Sequence, residues 1–561
     1  MKRDLATISS TTYDLAVVGG GIYGICAVHE AARRGLTVCL LERGDFVGAT
    51  SSNSLKVVHG GLRYLQHADL GRMRESIRER ARLLRLAPHL VQPLAFVLPT
   101  YGYGLRGKAV MRAALLLNDL IGFDRSAGVL RDRRLPRGRT IGRREVQAMI
   151  PDLDPKGLTG AAVWYDCQVT NTERLALAYL HAAASAGADC ANYVEATGVR
   201  LHGGQVRGLH ARDQLTGDTF EVRARTVLNA AGPWVDQFLQ SVPAAATVRR
   251  FHPSKAMNLV TRRLYEGHAI GVTVPTAFRD SDALINKGRR LFFVVPWKQY
   301  SLIGTRHLPF QGDADAFQIT EEDIERFLGE INAACPGAAL SRADVLAVLG
   351  GMLPEMPRRD SNQVQLVKHS HVCDHAADGA AGLMSIVGVK WTTARHTAEQ
   401  AVDFVEARLR PGAPPSRPPE RPLPGGEMDE VARFLAREEA LRPAGLSPDA
   451  MRHVLETYGT TYPEVLGYVE RDASLGGEVA PGCPVIGAEA VYGVEHEMAQ
   501  HLGDVVLRRT ALAAGGHPGR QALCRCAELM GTVLGWTPER RAVELDRTDA
   551  ALRGAPAVSR H

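Results

Sequence analysis

The chain has 561 residues, 45% of them apolar and 23% charged, with a formal net charge of +6. That length and apolar content suffice for two or three domains with buried cores. Mild basicity and an aromatic content of 6% exclude a nucleic-acid-binding composition, which needs clustered cations and stacking rings.

Met1 to Thr7 carries no apolar h-region, so no signal peptide is expected. No apolar run reaches the ~18 residues of a spanning helix. Nine scattered cysteines suit reduced thiols in a cytosolic protein.

The first element is an apolar strand, Leu15 to Val18, that runs into Gly19-x-Gly21-x-x-Gly24. A helical stretch follows through Ala32, then a second strand, Thr37 to Leu41, ending on Glu42. This order predicts a dinucleotide site. The glycines permit a tight turn and close backbone approach to a pyrophosphate, and the helix N-terminus presents free N–H groups to it. Glu42, 23 residues after Gly19, is placed to accept hydrogen bonds from ribose hydroxyls, which disfavours NADP. Arg43 follows it, and Gly48-Ala49-Thr50-Ser51-Ser52 supplies a hydroxyl-rich segment suited to a second pass along a diphosphate.

Gly71 to Leu86 reads as an amphipathic helix with six arginines, ended by Pro88. Arg131 to Arg144 reads as a basic loop with seven arginines. Strands are expected at Ala161–Tyr165 and Thr226–Asn229, with a helix from Glu173 to Ala186 between them. Ala230-Ala231-Gly232-Pro233-Trp234 then offers a second close approach of backbone to a ligand. Apolar runs at Met257–Val260, Leu291–Val295 and Ser301–Gly304 read as an inserted antiparallel sheet. Leu383–Val387 leads through Gly388 into a helix that aims amides at an anion or carbonyl. Seven prolines between Pro411 and Pro424 mark a linker, and the remainder reads as helical, with candidates at 431–441, 448–457, 494–507 and 521–534.

With these residues in view, the chain resembles the FAD-dependent glycerol-3-phosphate dehydrogenases, within the D-amino-acid-oxidase-like flavoproteins. The motifs that carry the resemblance include Ala49-Thr50-Ser51-Ser52, Lys56-x-x-His59-Gly60-Gly61-Leu62-Arg63-Tyr64, Asn229-Ala230-x-Gly232-Pro233-Trp234 and Lys390-x-Thr392-Thr393. The resemblance implies an α/β fold: a Rossmann-like FAD-binding domain interleaved with an antiparallel β-rich substrate domain, plus a C-terminal helical cap domain. The expected division is FAD-binding parts over 1–95, 161–245 and 351–410, a substrate or cap segment over 96–160, and a β-rich substrate domain over 246–350. A proline-rich linker over 411–426 and a helical domain over 427–561 complete it.

The implied reaction is oxidation of sn-glycerol 3-phosphate to dihydroxyacetone phosphate, with hydride passing to flavin N5 and electrons onward to a quinone or similar acceptor. Gly19, Gly21, Gly24, Glu42 and Arg43 would hold the ADP half of FAD, Ser51 and Ser52 its diphosphate, and Val194 its adenine side. Gly232, Gly388, His59, Lys390, Thr392 and Thr393 would lie along the rest of the cofactor. Arg63 and Tyr64 match the family's substrate-contacting pair and Lys390 its lysine.

Two positions depart from the family. Asn258 stands where a histidine proposed as base is usual, and Leu353 where a phosphate-binding arginine is usual. Neutral asparagine cannot take a proton. Arg306 and His307 are candidate replacements for the lost charge and base. Another polyol phosphate, a hydroxy acid or an amine are therefore alternative substrates, and a flavoprotein without turnover is a rival of another class. Related enzymes sit on the inner face of the cytoplasmic membrane, so a cytoplasmic location with peripheral attachment is expected, with the basic loop and the 71–86 helix as candidate surfaces. His369, His371, Cys373 and His375 read as a polar hairpin, not a metal site.

Overall fold

The computed structural model describes residues 1–104, 107–151, 153–247, 249–277, 289–356 and 364–554. Among them two sheets dominate. The first orders its central strands as His371–Asp374, Leu383–Val387, Thr219–Asn229, Thr12–Val18, Val38–Leu41 and Asp189–Ala191. Pairing across the middle is parallel, with Leu15 opposite Val38 and Thr226. Leu15, Val17, Val38, Leu40 and Leu228 are fully buried, as expected for a parallel sheet covered on both faces. Helices Ile22–Arg33, Thr172–Ser185 and Ala394–Leu409 pack on one face; Val194–His202 and Gln205–Asp213 extend the sheet as an antiparallel hairpin. A ligand crevice is expected beyond the carboxyl ends of such strands, and Val18, Leu41 and Asn229 all deliver the chain there.

The second sheet is mainly antiparallel, in the order Val345–Pro354, Pro253–Arg262, Tyr300–Pro309, Arg289–Trp297, His268–Ala277, Val91–Tyr101, Leu158–Val169 and Val57–Val58. Leu158–Val169 crosses the expected boundary at 160/161 and belongs wholly to this sheet, paired along its length with Val91–Tyr101. Helix Glu321–Ala334 covers one face, burying Ile324, Phe327 and Ile331 against Met257, Leu259 and Phe292.

The arginine-rich helix runs from Leu70 to Leu86 and is largely internal. It buries Met73, Ile77 and Leu84, and also Arg72 and Arg80, the latter ion-paired with Asp166. The stretch 131–144 is a short helical turn, a strand (Arg139–Gly142) and the start of helix Arg143–Met149, not an irregular loop. The proline-rich linker lies pinned on the FAD-binding domain: Leu423 donates to Leu86, and Glu420 pairs with Arg82.

The C-terminal region is helical, with Val431–Glu439, Pro448–Tyr458, Tyr462–Arg471, Gly487–Glu497, Arg520–Leu534 and Pro538–Arg553. The single helix expected over 494–507 is two pieces. Met498, at φ 58°, ends the first, and Val505–Arg509 forms a π-helical turn. That break turns Arg509 back onto the Glu497 carbonyl (2.9 Å from Nη2) and places its guanidinium against Asp45.

Candidate active site

A cleft of about 490 Å3 runs between the two sheets. One end is lined by Glu42, Arg43, Asp45 and Glu195, the middle by Gly19, Gly21, Ser51 and Gly232, and the far end by Tyr23, Asn258, Thr305, Leu353, Gly388 and Lys390.

The glycine turn is built for close approach. Gly19 has φ +101°, and a Cβ there would lie 2.7 Å from the Ala230 carbonyl oxygen. A Cβ on Gly24 would lie 1.9 Å from the Gly19 carbonyl, so only glycine lets the helix sit this near the strand. Gly21 caps helix Ile22–Arg33 without a side-chain acceptor, and the Ser51 hydroxyl accepts the Ile22 amide at 3.0 Å. Glu42 accepts from the amides of Gly20 (2.6 Å) and Gly44 (2.8 Å); burial pushes its carboxyl up. Arg43 stacks 4.2 Å over Trp234, whose indole donates to Asp315.

These residues fit an FAD. The cradle leaves room where a Cβ would intrude, a buried carboxylate stands at the ribose end, and helix Ala394–Leu409 begins at Thr393 with no side-chain cap, the positive end of its dipole suited to an anion or carbonyl.

Other expected cofactor residues lie around this cradle. Ser52 directs its hydroxyl to the Ala49 carbonyl at 3.0 Å and borders a second cavity instead of the cleft. Val194 is buried and donates its amide to Glu42 O at 2.8 Å, while its neighbours Glu195 and Ala196 line the cleft. Thr392 and Thr393 are buried at the helix start.

The His59–Tyr64 turn owes its shape to its glycines. Asp166 accepts the Gly60 amide at 2.5 Å and the Arg80 guanidinium. A Cβ on Gly60 would strike Arg80, and one on Gly61 (φ +78°) would lie 2.3 Å from the Tyr64 ring. The turn thereby presents Tyr64 edge-on to His59, with centroids 5.8 Å apart. Tyr64 is flanked by Arg72, 4.1 Å from the ring centroid, and Lys390, 4.3 Å from it. Burial, with Arg72 adjacent, brings Lys390 down to about 7. Burial holds His59 neutral, down to about 4, and raises the Tyr64 phenol to about 12. Arg63 is exposed beside Tyr64. Lys56 is structural, bonded to Thr172 and Glu173.

Asn258 faces the cleft with both ends of its amide engaged. It donates to Asn53 O (3.0 Å) and accepts from Thr305 Oγ1 (2.7 Å). Arg306 and His307 leave their strand on opposite faces. Arg306 is opposite Met257 in the register and pairs with Glu330 of the covering helix at 2.9 Å, behind the sheet. His307 is opposite Ala256, which lines the cleft; burial, with Arg290 and Arg63 nearby, lowers it to about 4. Leu353 contributes an apolar side chain to the wall.

Sequence reasoning missed the residues that lock these pieces together. Tyr23, between the second and third motif glycines, accepts the Val389 and Lys390 amides (3.0 and 2.9 Å) and donates to the Lys390 carbonyl (2.8 Å). Trp391 donates to Ser51 O at 3.2 Å. Only the aromatic character of Tyr23 at a helix start hinted at such a role.

Comparison with known proteins agrees with this architecture. The FAD dependent oxidoreductase family matches residues 14–403, and the C-terminal domain of alpha-glycerophosphate oxidase matches residues 417–541. The glycerol-3-phosphate dehydrogenase of Synechocystis sp. is 34% identical over 551 residues, covering 96% of each chain. The mitochondrial enzyme of that name from Mus musculus is 32% identical, covering 97% of this chain and 74% of its own. A solved structure, the glycerol-3-phosphate dehydrogenase from Bacillus halodurans complexed with FAD, shares the fold with a TM-score of 0.74 at 24% identity, covering 99% of this chain and 97% of that one. With its FAD cradle and helical C-terminal domain, the chain belongs to the FAD-dependent oxidoreductases, in the glycerol-3-phosphate dehydrogenase family.

Proposed function

We propose that the chain oxidises sn-glycerol 3-phosphate to dihydroxyacetone phosphate. The observation that carries this reading is the Arg72–Tyr64–Lys390 stack, whose lysine stands at the far end of the cleft from the dinucleotide cradle. A phosphorylated alcohol needs cations beside a two-electron acceptor, and this arrangement supplies them. The names of the relatives support the same substrate.

When bound, FAD supplies the acceptor for the hydride. The chain does the rest. Arg63 and Arg72 provide positive charge for the phosphate, and Tyr64 holds Lys390 over its ring. Asn258 and Thr305 shape the wall, and the open start of helix Ala394–Leu409 faces negative charge that develops on oxygen or on the ring system. Leu353, apolar where a cation would strengthen phosphate binding, favours as second reading a less charged polyol or hydroxy acid.

Delivery of electrons to a membrane quinone, by a peripherally attached enzyme, has its own support. No described helix is long and apolar enough to cross a membrane. Helix Lys108–Ile121, however, buries only Met111 and Leu115 and leaves Leu116, Leu117 and Leu120 exposed, the last at 71%, with Phe123 at 80% just beyond. Such an apolar face, with Arg112 also exposed, suits the interfacial zone of a bilayer. The reading moves the attachment surface away from the 70–86 helix, which is internal.

The test is an anaerobic flavin-reduction screen over glycerol 3-phosphate, other polyol phosphates, hydroxy acids and amino acids. Fastest bleaching with glycerol 3-phosphate is expected; bleaching only by an amino acid would replace the reading.

A further inference from the structure

Oxidation of a secondary alcohol requires a group with an open lone pair to take the hydroxyl proton as hydride leaves. The cleft walls leave few choices. Its carboxylates lie at the ribose end and are engaged: Glu42 with the Gly20 and Gly44 amides, Asp45 with Arg508 and Arg509, Glu195 with Gln214 at 2.8 Å. At the far end Tyr23 is saturated by the Val389–Lys390 turn, Thr305 donates to Asn258, and the Asn258 amide has no basic lone pair. His59 and His307 stand outside the cleft lining, and both are weak bases in their buried settings, near 4.

Lys390 differs from all of these. Its Nζ lies over the Tyr64 ring with no hydrogen bond or ion pair among the described residues; burial and Arg72 lower its affinity for a proton, Glu75 and Asp69 oppose them at longer range, and His59 stands nearby. Its backbone is fixed by Tyr23, and the residue lines the far end of the cleft.

We propose that Lys390 is the proton acceptor of the reaction, taking over in this chain the role that a histidine at the Asn258 position would otherwise have. The inference rests on the alcohol-oxidation reading above. The substrate O–H bond breaks, its electron pair closes the carbonyl, the C–H pair departs as hydride to the bound flavin, and the proton adds to the neutral amine to give the ammonium. A pKa near the working pH is the optimum for such a base, and burial gives Lys390 a value of about 7. The positive charge acquired at this point also stands beside the substrate phosphate.

Two measurements test it. Competitive acetylation of the FAD-loaded protein across pH, read by mass spectrometry at Lys390, should show a midpoint near 7; a midpoint in the range of exposed lysines would overturn the proposal. Lys390→Arg reproduces the cation of the protonated state and the stacking on Tyr64 but cannot accept a proton. It should retain FAD and its visible spectrum while flavin reduction by glycerol 3-phosphate slows about 10²–10⁴-fold and loses its rise through neutral pH. A variant within about threefold of the parent, with an unchanged pH profile, would overturn the proton-acceptor role. If the parent protein itself is not reduced by any alcohol, it is the oxidation reading that fails, whatever the acetylation midpoint.

Discussion

The hydroxyl of Tyr23 binds the backbone of Lys390 on both sides, accepting its amide at 2.9 Å and donating to its carbonyl at 2.8 Å, across 367 positions of sequence. The first helical turn, inside the glycine motif, thus fixes the segment that carries the lysine at the far end of the cleft. Gly388 is part of the same device, because a Cβ there would lie 2.1 Å from the Tyr23 ring.

Tyr23→Phe should therefore loosen the Gly388–Lys390 turn without emptying the core. Leaving buried amides unpaired costs about 1–3 kcal/mol. The denaturation midpoint should fall accordingly, and flavin reduction should slow about tenfold as Lys390 loses its fixed position, a factor worth about 1.4 kcal/mol. Unchanged stability and rate would mean that the turn is held by other contacts.

Asp45 carries the junction between the FAD-binding domain and the helical domain. It is fully buried, receives Arg508 and both Nη atoms of Arg509, and is held by Asn192 at 3.0 Å. The two guanidiniums keep its carboxyl far below the usual range despite burial. Asp45→Asn leaves Arg509 without its close counter-charge and Arg508 with Asp504 alone, and breaking such a buried pair costs about 3–5 kcal/mol. Chemical denaturation of the FAD-loaded protein should show that loss, with faster proteolysis after residue 410; a loss under about 1 kcal/mol would show that the domains dock without this cluster.

Helix Lys108–Ile121 gives a prediction about surfaces. Leu116→Asp combined with Leu120→Asp should leave folding and FAD content unchanged, since both side chains are exposed, yet abolish co-sedimentation with vesicles containing anionic lipid. Equal vesicle binding by parent and variant would exclude this helix as the attachment face.

Much of the fold was legible because its signals are local. The strand–glycine–helix–acid order and the apolar runs of the parallel sheet follow from backbone needs that few residue types meet. The His59–Tyr64 motif was also legible, although its reason emerged only from the structure: Gly60 makes way for Arg80 and Gly61 for the Tyr64 ring. What sequence did not reveal depends on long-range pairing. Arg306 and His307 are adjacent in sequence, yet strand alternation sends one to Glu330 behind the sheet and the other to the Ala256 side. The six arginines of the 70–86 helix suited a membrane-facing surface or a packed helix equally well in sequence; the structure decides for packing, because Arg80 of this helix pairs with distant Asp166 and its Glu79 with distant Arg395.

His89 supplies a pH dependence. It is buried, and burial, followed by Arg174 and Arg133, lowers it from 6.5 to about 3. Between those values the unfolded chain binds a proton that the folded chain does not, so stability rises with pH across the window and falls on acidification below about 6.5. At pH 5 this group alone should cost about 2 kcal/mol. Unfolding free energies from urea titrations at pH 7 and 5 should differ by that amount more in the parent than in His89→Asn; an identical difference in both would exclude His89 as the source.

On the proposed reading, this cleft brings an FAD together with a secondary alcohol bearing a phosphate. The most direct test of that reading is an anaerobic titration of the FAD-loaded protein with sn-glycerol 3-phosphate, following the visible flavin band and the product together. Loss of the band is expected, with one dihydroxyacetone phosphate formed per flavin. A band that persists at saturating glycerol 3-phosphate, in protein whose flavin is readily reduced by dithionite, would contradict it.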